Sequence, residues 1–259
     1  MAINQAIPGY LIYAAMLAHL LAFAVLLIGP KRVGGAIFAV GFAAAAAAWT
    51  CRWIQVGHVP LQSLFEVFLT LAMLVFPLSL FCRLCLGVKA EAADALVGLL
   101  ILFPAAFVFS AEPQRLPPAL RSWLFFPHVM AYMLAYVVLA KAAVAAIGGL
   151  LSGDASCEQA TYKMVRLGFP LLTGGLILGA VWGKLAWGDY WNWDPKELWA
   201  LATWLVFGFY LHLRAASNGA RFPRTSCAMA LLGVVVAAIT LLWVNLAAKL
   251  FAGLHSYAT

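Results

Sequence analysis

The chain has 259 residues, of which 66% are hydrophobic and only 10% charged, a composition outside the range of soluble domains. A membrane-spanning helix needs about 20 mainly apolar residues, so this length holds about eight spans with short connections and no sizeable soluble domain. The formal charge of +7 reads as membrane topology rather than nucleic-acid binding, because the basic residues sit between apolar runs and form no patch.

The apolar runs predict an all-α, polytopic integral membrane helical bundle, a single transmembrane domain over 1–259. In chain order the spans fall near 10–28, 33–53, 64–86, 95–110, 128–150, 168–187, 197–215 and 226–250. Met1–Gly9 carries no basic residue and the first run is long enough to span, so no cleavable signal peptide is expected. Lys31, Arg32, Arg83, Lys89, Lys163, Arg166, Arg214, Arg221 and Arg224 all follow odd-numbered spans. Arg52, Arg115, Arg121, Lys184, Lys196 and Lys249 fall on the other side. The positive-inside rule then puts both termini on the outer, periplasmic side. His58, the loop 111–127, the stretch 182–197 and His255 lie on that same side. His212 lies about 22 Å into span seven at 1.5 Å per residue, deep towards the cytoplasmic face.

Five cysteines (Cys51, Cys82, Cys85, Cys157, Cys227) make no metal or disulfide framework. Cys82 and Cys85 form a CxxC, but Leu86 follows where a covalent haem-attachment motif has His. They read as small residues in helix packing, as does the Ala43–Ala48 run.

The most informative stretch is 182–199, which holds Trp182, Trp187, Trp191, Trp193 and Trp199, half of the chain's 10 tryptophans. An aromatic belt at the membrane interface needs one or two rings per helix end and gives no reason for Asp194, Lys196 and Glu197 among them. Rings with interleaved charges suit a large planar apolar ligand with charged edges: the indoles and Tyr190 stack on its face, and Lys196 pairs with a carboxylate. Pro195 fits a helix start, with Asp194 as N-cap and Glu197 near the first-turn dipole.

The run Trp187-Gly188-Asp189-Tyr190-Trp191-Asn192-Trp193-Asp194-Pro195-Lys196-Glu197 resembles the WWD domain of haem-handling proteins, whose core is WGxYWxWDPKE. Trp199, Thr203-Trp204-Leu205, Tyr210–Arg214 and Gly253–Ala258 are similar to the CcsA (ResC) branch of System II cytochrome c biogenesis. Gly57-His58-Val59-Pro60 with Glu66 resembles a GHxPxxNxYE element of that branch, departing from it at Ser63 and Phe65. The resemblance covers most of the chain.

It implies haem b as substrate and bound ligand, with His128 and His255 as external axial ligands bracketing the WWD segment. Neutral imidazole is the common axial ligand of haem iron. It implies a second site within the membrane at His212, completed by a separate CcsB (ResB)-like subunit. His19, nearer mid-membrane, reads as an interhelical hydrogen-bonding residue, and His58 as shaping the outer end of span three. The expected activity is that of a holocytochrome c synthase, a lyase. Haem crosses a bacterial inner membrane, is presented by Trp182–Trp199 on the periplasmic face, and is joined by thioether bonds to the CxxCH of an apocytochrome c. Thiol-reducing proteins of the outer side would assist; nucleic acid is no partner. No residue stands out as a nucleophile or base. Two alternatives remain: a haem exporter or chaperone without synthase activity, and a bis-histidine b-type quinol oxidoreductase.

Overall fold

A computed structural model describes residues 7–216 and 223–243, and every described element is helical. The helices are α1 (Ile7–Ile28), α2 (Lys31–Val56), α3 (Leu64–Leu86), α4 (Glu91–Phe107), α5 (Phe125–Ser152), α6 (Ala155–Trp187), α7 (Pro195–Ala216) and α8 (Pro223–Ala238). A 3₁₀ turn at Pro118–Leu120 precedes α5, and Ile239–Trp243 extends α8 as a π turn. Seven of the helices are long and apolar enough to cross a membrane. The eighth, α4, has 17 residues, or about 25 Å, at the lower limit of a span.

The expected spans recur with shifted ends, and positions 244–250 of span eight lie outside the described residues. Span six, expected at 168–187, begins at Ala155 and runs 33 residues. Hydropathy missed its first turns because Glu158, Lys163 and Arg166 break the apolar run. Asp154 nevertheless caps it, accepting from Ser156 N at 2.8 Å, and Glu158, Thr161, Met164, Val165 and Gly168 are buried at helical spacing.

The helices fall into two compact units, Met1–Leu116 and Pro117–Thr259. In the first, α1 lies against α2 and α4, and α3 against α2 and α4. Two buried polar features organise it. Arg52 donates from Nε to Glu66 Oε1 (2.9 Å) and from Nη1 to the carbonyl of Ala111 (2.6 Å). Glu66 also closes a capping box with Ser63 at the start of α3. His19 is fully buried, and its Nδ1–H donates to Ala15 O at 2.7 Å, within its own helix rather than across helices as expected. A Cβ on Gly41 would lie 2.7 Å from its Nδ1 and one on Gly98 2.4 Å from its Cδ2. The ring therefore packs between two glycine backbones, with no width beside it for a macrocycle. His58 sits near the carbonyls of Val59 and Gln114, at 3.1 and 3.5 Å, and so helps shape the chain before α3.

In the second unit α5 lies against α6 and α8, and α7 against α6 and α8. The α5–α6 pair is antiparallel in a register set by glycines. A Cβ on Gly168 would meet Leu139 at 3.0 Å, one on Gly175 would meet Tyr132 at 2.8 Å, and one on Gly179 would meet His128 at 2.5 Å. Large α5 side chains thus sit directly over α6 backbone, the close approach small residues permit in membranes. At the far end of α6, Glu158 takes Arg214 of α7 in a bidentate pair (2.6 and 2.8 Å), and the guanidinium lies 3.8 Å from the Tyr162 ring centroid.

Candidate haem-binding site

His128 is in the first turn of α5 and half-buried. Its Nδ1 lies 2.8 Å from the carbonyl oxygen of Gly175; a carbonyl only accepts, so Nδ1 carries the proton and Nε2 keeps its lone pair. The imidazole stacks on Trp182 (centroids 5.6 Å apart, planes 22° apart) and meets Tyr132 edge-on at 5.3 Å. Trp182 is itself buried. It donates from Nε1 to Ala119 O at 3.0 Å and is walled by Phe125 and Trp187. Trp182 therefore supports the histidine from behind rather than offering a face of its own.

The remaining rings come from the end of α6, the loop 188–194 and the start of α7. Gly188 ends α6 at φ 95°, a conformation glycine adopts without strain. Lys184 donates to the Gly188 carbonyl and holds its ammonium over the Tyr190 ring, 5.5 Å from the centroid. Tyr190 and Trp193 are exposed, at 59% and 68%, while Trp187, Trp191 and Trp199 are half-buried. Trp191 and Trp193 meet edge-to-face at 6.0 Å.

Asp194, Pro195 and Glu197 make the helix start expected of them. Pro195 opens α7, Asp194 Oδ1 accepts from Lys196 N at 2.9 Å, and Glu197 Oε2 accepts from Asp194 N at 3.1 Å. This is a reciprocal capping arrangement. Glu197 Oε2 also accepts from Asn192 N at 2.8 Å. Between those two amides Trp193 adopts φ 57°, the one positive φ at a non-glycine residue among the described residues. For a bulky L-residue that costs about 1–2 kcal/mol. Asn192 Nδ2 is buried without an acceptor among the described residues.

His212 is not part of this cluster. It lies on α7, 17 residues beyond Pro195, about 25 Å along the helix axis. It is exposed, on the face that also carries Leu205, Phe209 and Leu213, opposite the buried Thr203, Phe207, Tyr210 and Arg214. His255 lies outside the described residues. The contributions of Gly175, Gly179 and Ala119 escaped the sequence reading; the spacing of Gly175, Gly179 and Gly183 by fours was the available signal.

An imidazole with its lone pair on Nε2, a buried Asn192 amide without an acceptor among the described residues and the exposed rings of Tyr190 and Trp193 fit a planar, iron-centred macrocycle with polar edges. The fold and this cluster define a multi-pass helical membrane protein whose aromatic, histidine-bearing end is chemically suited to haem.

The comparisons place that class. Residues 37–252 match the family of the cytochrome c assembly protein, and the chain belongs to that family, in its CcsA branch. The cytochrome c biogenesis protein CcsA of Guillardia theta is 35% identical over 248 residues, covering 80% of this chain and 79% of that one. That of Synechococcus elongatus is 31% identical over 291 residues, covering 88% of each. Among solved structures the cytochrome c heme lyase CcmF superposes with a TM-score of 0.71 over 93% of this chain at 19% identity. This is a likeness of fold, and the chain spans about half (48%) of the CcmF chain's length. The protein is thus a haem-handling membrane protein of cytochrome c biogenesis.

Proposed function

We propose that this protein is the haem-presenting subunit of a two-subunit holocytochrome c synthase. Haem b crosses the membrane through a site at His212 shared with a CcsB-like subunit. It reaches the WWD segment on the periplasmic face of a bacterial inner membrane, and there meets an apocytochrome c. The observation that carries the reading is the His128 imidazole: its Nδ1–H donates to Gly175 O, so Nε2 is the nitrogen whose lone pair can ligate iron, and the ring stacks on Trp182 of the tryptophan segment.

His255, by family resemblance, is the opposing axial ligand. His212 stands exposed on an apolar helix face, where an unpaired polar side chain in lipid is unfavourable. That supports a partner subunit covering it and supplying the second ligand. In the lyase step each CxxCH cysteine adds its S–H across a haem vinyl group. Sulfur bonds one vinyl carbon and the proton goes to the other, with no net electron transfer. The thiols must arrive reduced, which is where thiol-reducing proteins of the outer side enter. The chain's own contribution is to hold the macrocycle with its vinyl edge accessible, a matter of positioning.

The test is co-expression with a CcsB-like subunit in a bacterium stripped of its own maturation systems, scoring covalent haem on a reporter cytochrome c and the absorbance of the purified complex. The expected result is matured cytochrome and bound haem, with His128→Ala losing both and added imidazole restoring haem. A purified complex without haem, together with a His128→Ala variant that matures cytochrome normally, would overturn the proposal.

A further inference from the structure

Glu197 lies in the WWD segment at the start of α7, where a carboxylate among indoles reads at first as a ligand contact. Its geometry points elsewhere. A single oxygen, Oε2, receives the amides of Asn192 (2.8 Å) and Asp194 (3.1 Å), the residues on either side of Trp193. An oxygen that accepts two hydrogen bonds has both lone pairs engaged, so Oε2 is committed to the main chain.

Two main-chain amides two residues apart can converge on one acceptor where the chain turns sharply between them. The left-handed turn at Trp193, φ 57°, does this here and makes a small anion-binding nest of main-chain amides. Glycine would adopt the turn freely; tryptophan does not. The turn therefore needs an outside stabiliser, and hydrogen bonds to an ionised carboxylate are among the strong ones. In this turn the Trp193 side chain stands 68% exposed while its neighbour Asp194 is buried.

We propose that Glu197 is a positioning residue. Its carboxylate locks the Trp193 turn so that the indole is presented outward to the haem face, and it makes no contact of its own with the haem. The proposal deepens, and rests on, the reading of this segment as the haem platform. It separates two roles within one motif: Trp193 meets the ligand, and Glu197 holds Trp193.

The experiment compares Glu197→Ala, Glu197→Gln, Trp193→Gly and the Trp193→Gly/Glu197→Ala double variant in the complex co-expressed with its CcsB-like subunit. The readout is haem per purified protein from the absorbance spectrum. Trp193→Gly removes the ring while relieving the strained φ, so the fold does not depend on Glu197 in that background. Glu197→Ala should lose haem about tenfold, in the range seen when groups that orient a metal-site residue are removed. Glu197→Gln should recover most of it, since an amide oxygen accepts both bonds. The double variant should be no worse than Trp193→Gly alone. A further loss in the double variant, or a Glu197→Gln as poor as Glu197→Ala, would mean that the carboxylate acts directly on the ligand, and the proposal fails. Glu197→Ala binding haem normally while Trp193→Gly loses it would also overturn it and leave the platform reading intact. Trp193→Gly keeping all its haem would instead remove the platform reading on which the proposal stands.

Discussion

His128 donates from Nδ1 to the carbonyl of Gly175 at 2.8 Å and lies so close over the next α6 glycine that a Cβ on Gly179 would fall 2.5 Å from its Cε1. One α6 glycine thus fixes the tautomer and the next fixes the ring's place. Orienting a ligand histidine through its second nitrogen is how proteins aim and tune the metal-facing one.

Gly179→Ala is the sharpest probe of that arrangement. The added methyl cannot coexist with the observed ring position, so His128 must turn away and give up the Gly175 bond. Haem retained on purification should fall about 10–100-fold, the usual cost of disturbing a ligand's support. Imidazole added to the buffer should restore part of it by replacing the displaced ring. The measurement is the absorbance spectrum with and without imidazole. A Gly179→Ala protein with unchanged haem content would mean the notch does not hold the ligand.

Trp182 separates packing from hydrogen bonding. The indole is buried and bonded to Ala119 O. Trp182→Phe keeps most of the ring and should cost about 1 kcal/mol for the lost bond. Trp182→Ala leaves a cavity beside His128 and should cost about 3–5 kcal/mol. Thermal unfolding in detergent should rank wild type above Phe above Ala. Equal stability of the Phe and Ala variants would contradict the packing role.

The buried Glu158–Arg214 pair gives a prediction at the opposite end of α6. Removing one partner leaves an uncompensated charge, so Glu158→Ala should destabilise by about 3–5 kcal/mol. Replacing both with apolar residues of similar size, Glu158→Leu with Arg214→Met, should recover much of that loss, because the desolvation of both charges disappears together. If the double variant is less stable than Glu158→Ala in the same unfolding assay, the pair contributes more than charge balance.

The sequence is most legible at residues that a membrane makes costly. Spans were legible because apolar length is demanded by the membrane, and the tryptophan segment because rings interleaved with Asp194, Lys196 and Glu197 have no cheap explanation in a belt. Which rings face outward was not legible. Trp182 and Trp193 look alike in sequence, yet one is buried at 1% and the other is 68% exposed, because α6 carries Trp182 against α5 while a left-handed turn presents Trp193. Gly175 and Gly179 went unread since glycine's contribution is the absence of a side chain, visible only once His128 and Tyr132 lie over it. The start of α6 was missed by an apolar-run criterion and was available from its cap, Asp154.

His212 carries the last prediction. It stands exposed on α7 beside Leu205, Phe209 and Leu213, and within the described residues no hydrogen bond holds it. Substitution of an exposed residue away from packed or bonded features changes stability by less than about 0.5 kcal/mol. His212→Ala should therefore leave the thermal unfolding of the isolated chain unchanged. In the complex with a CcsB-like subunit the same substitution should act differently: if the partner covers this face and haem bridges the two, one axial ligand disappears and the spectrum loses a bis-histidine component. Imidazole should restore that component, while the haem at His128 remains. A destabilised isolated chain would instead make His212 a packing residue. An unchanged spectrum of the complex would place the membrane haem site elsewhere.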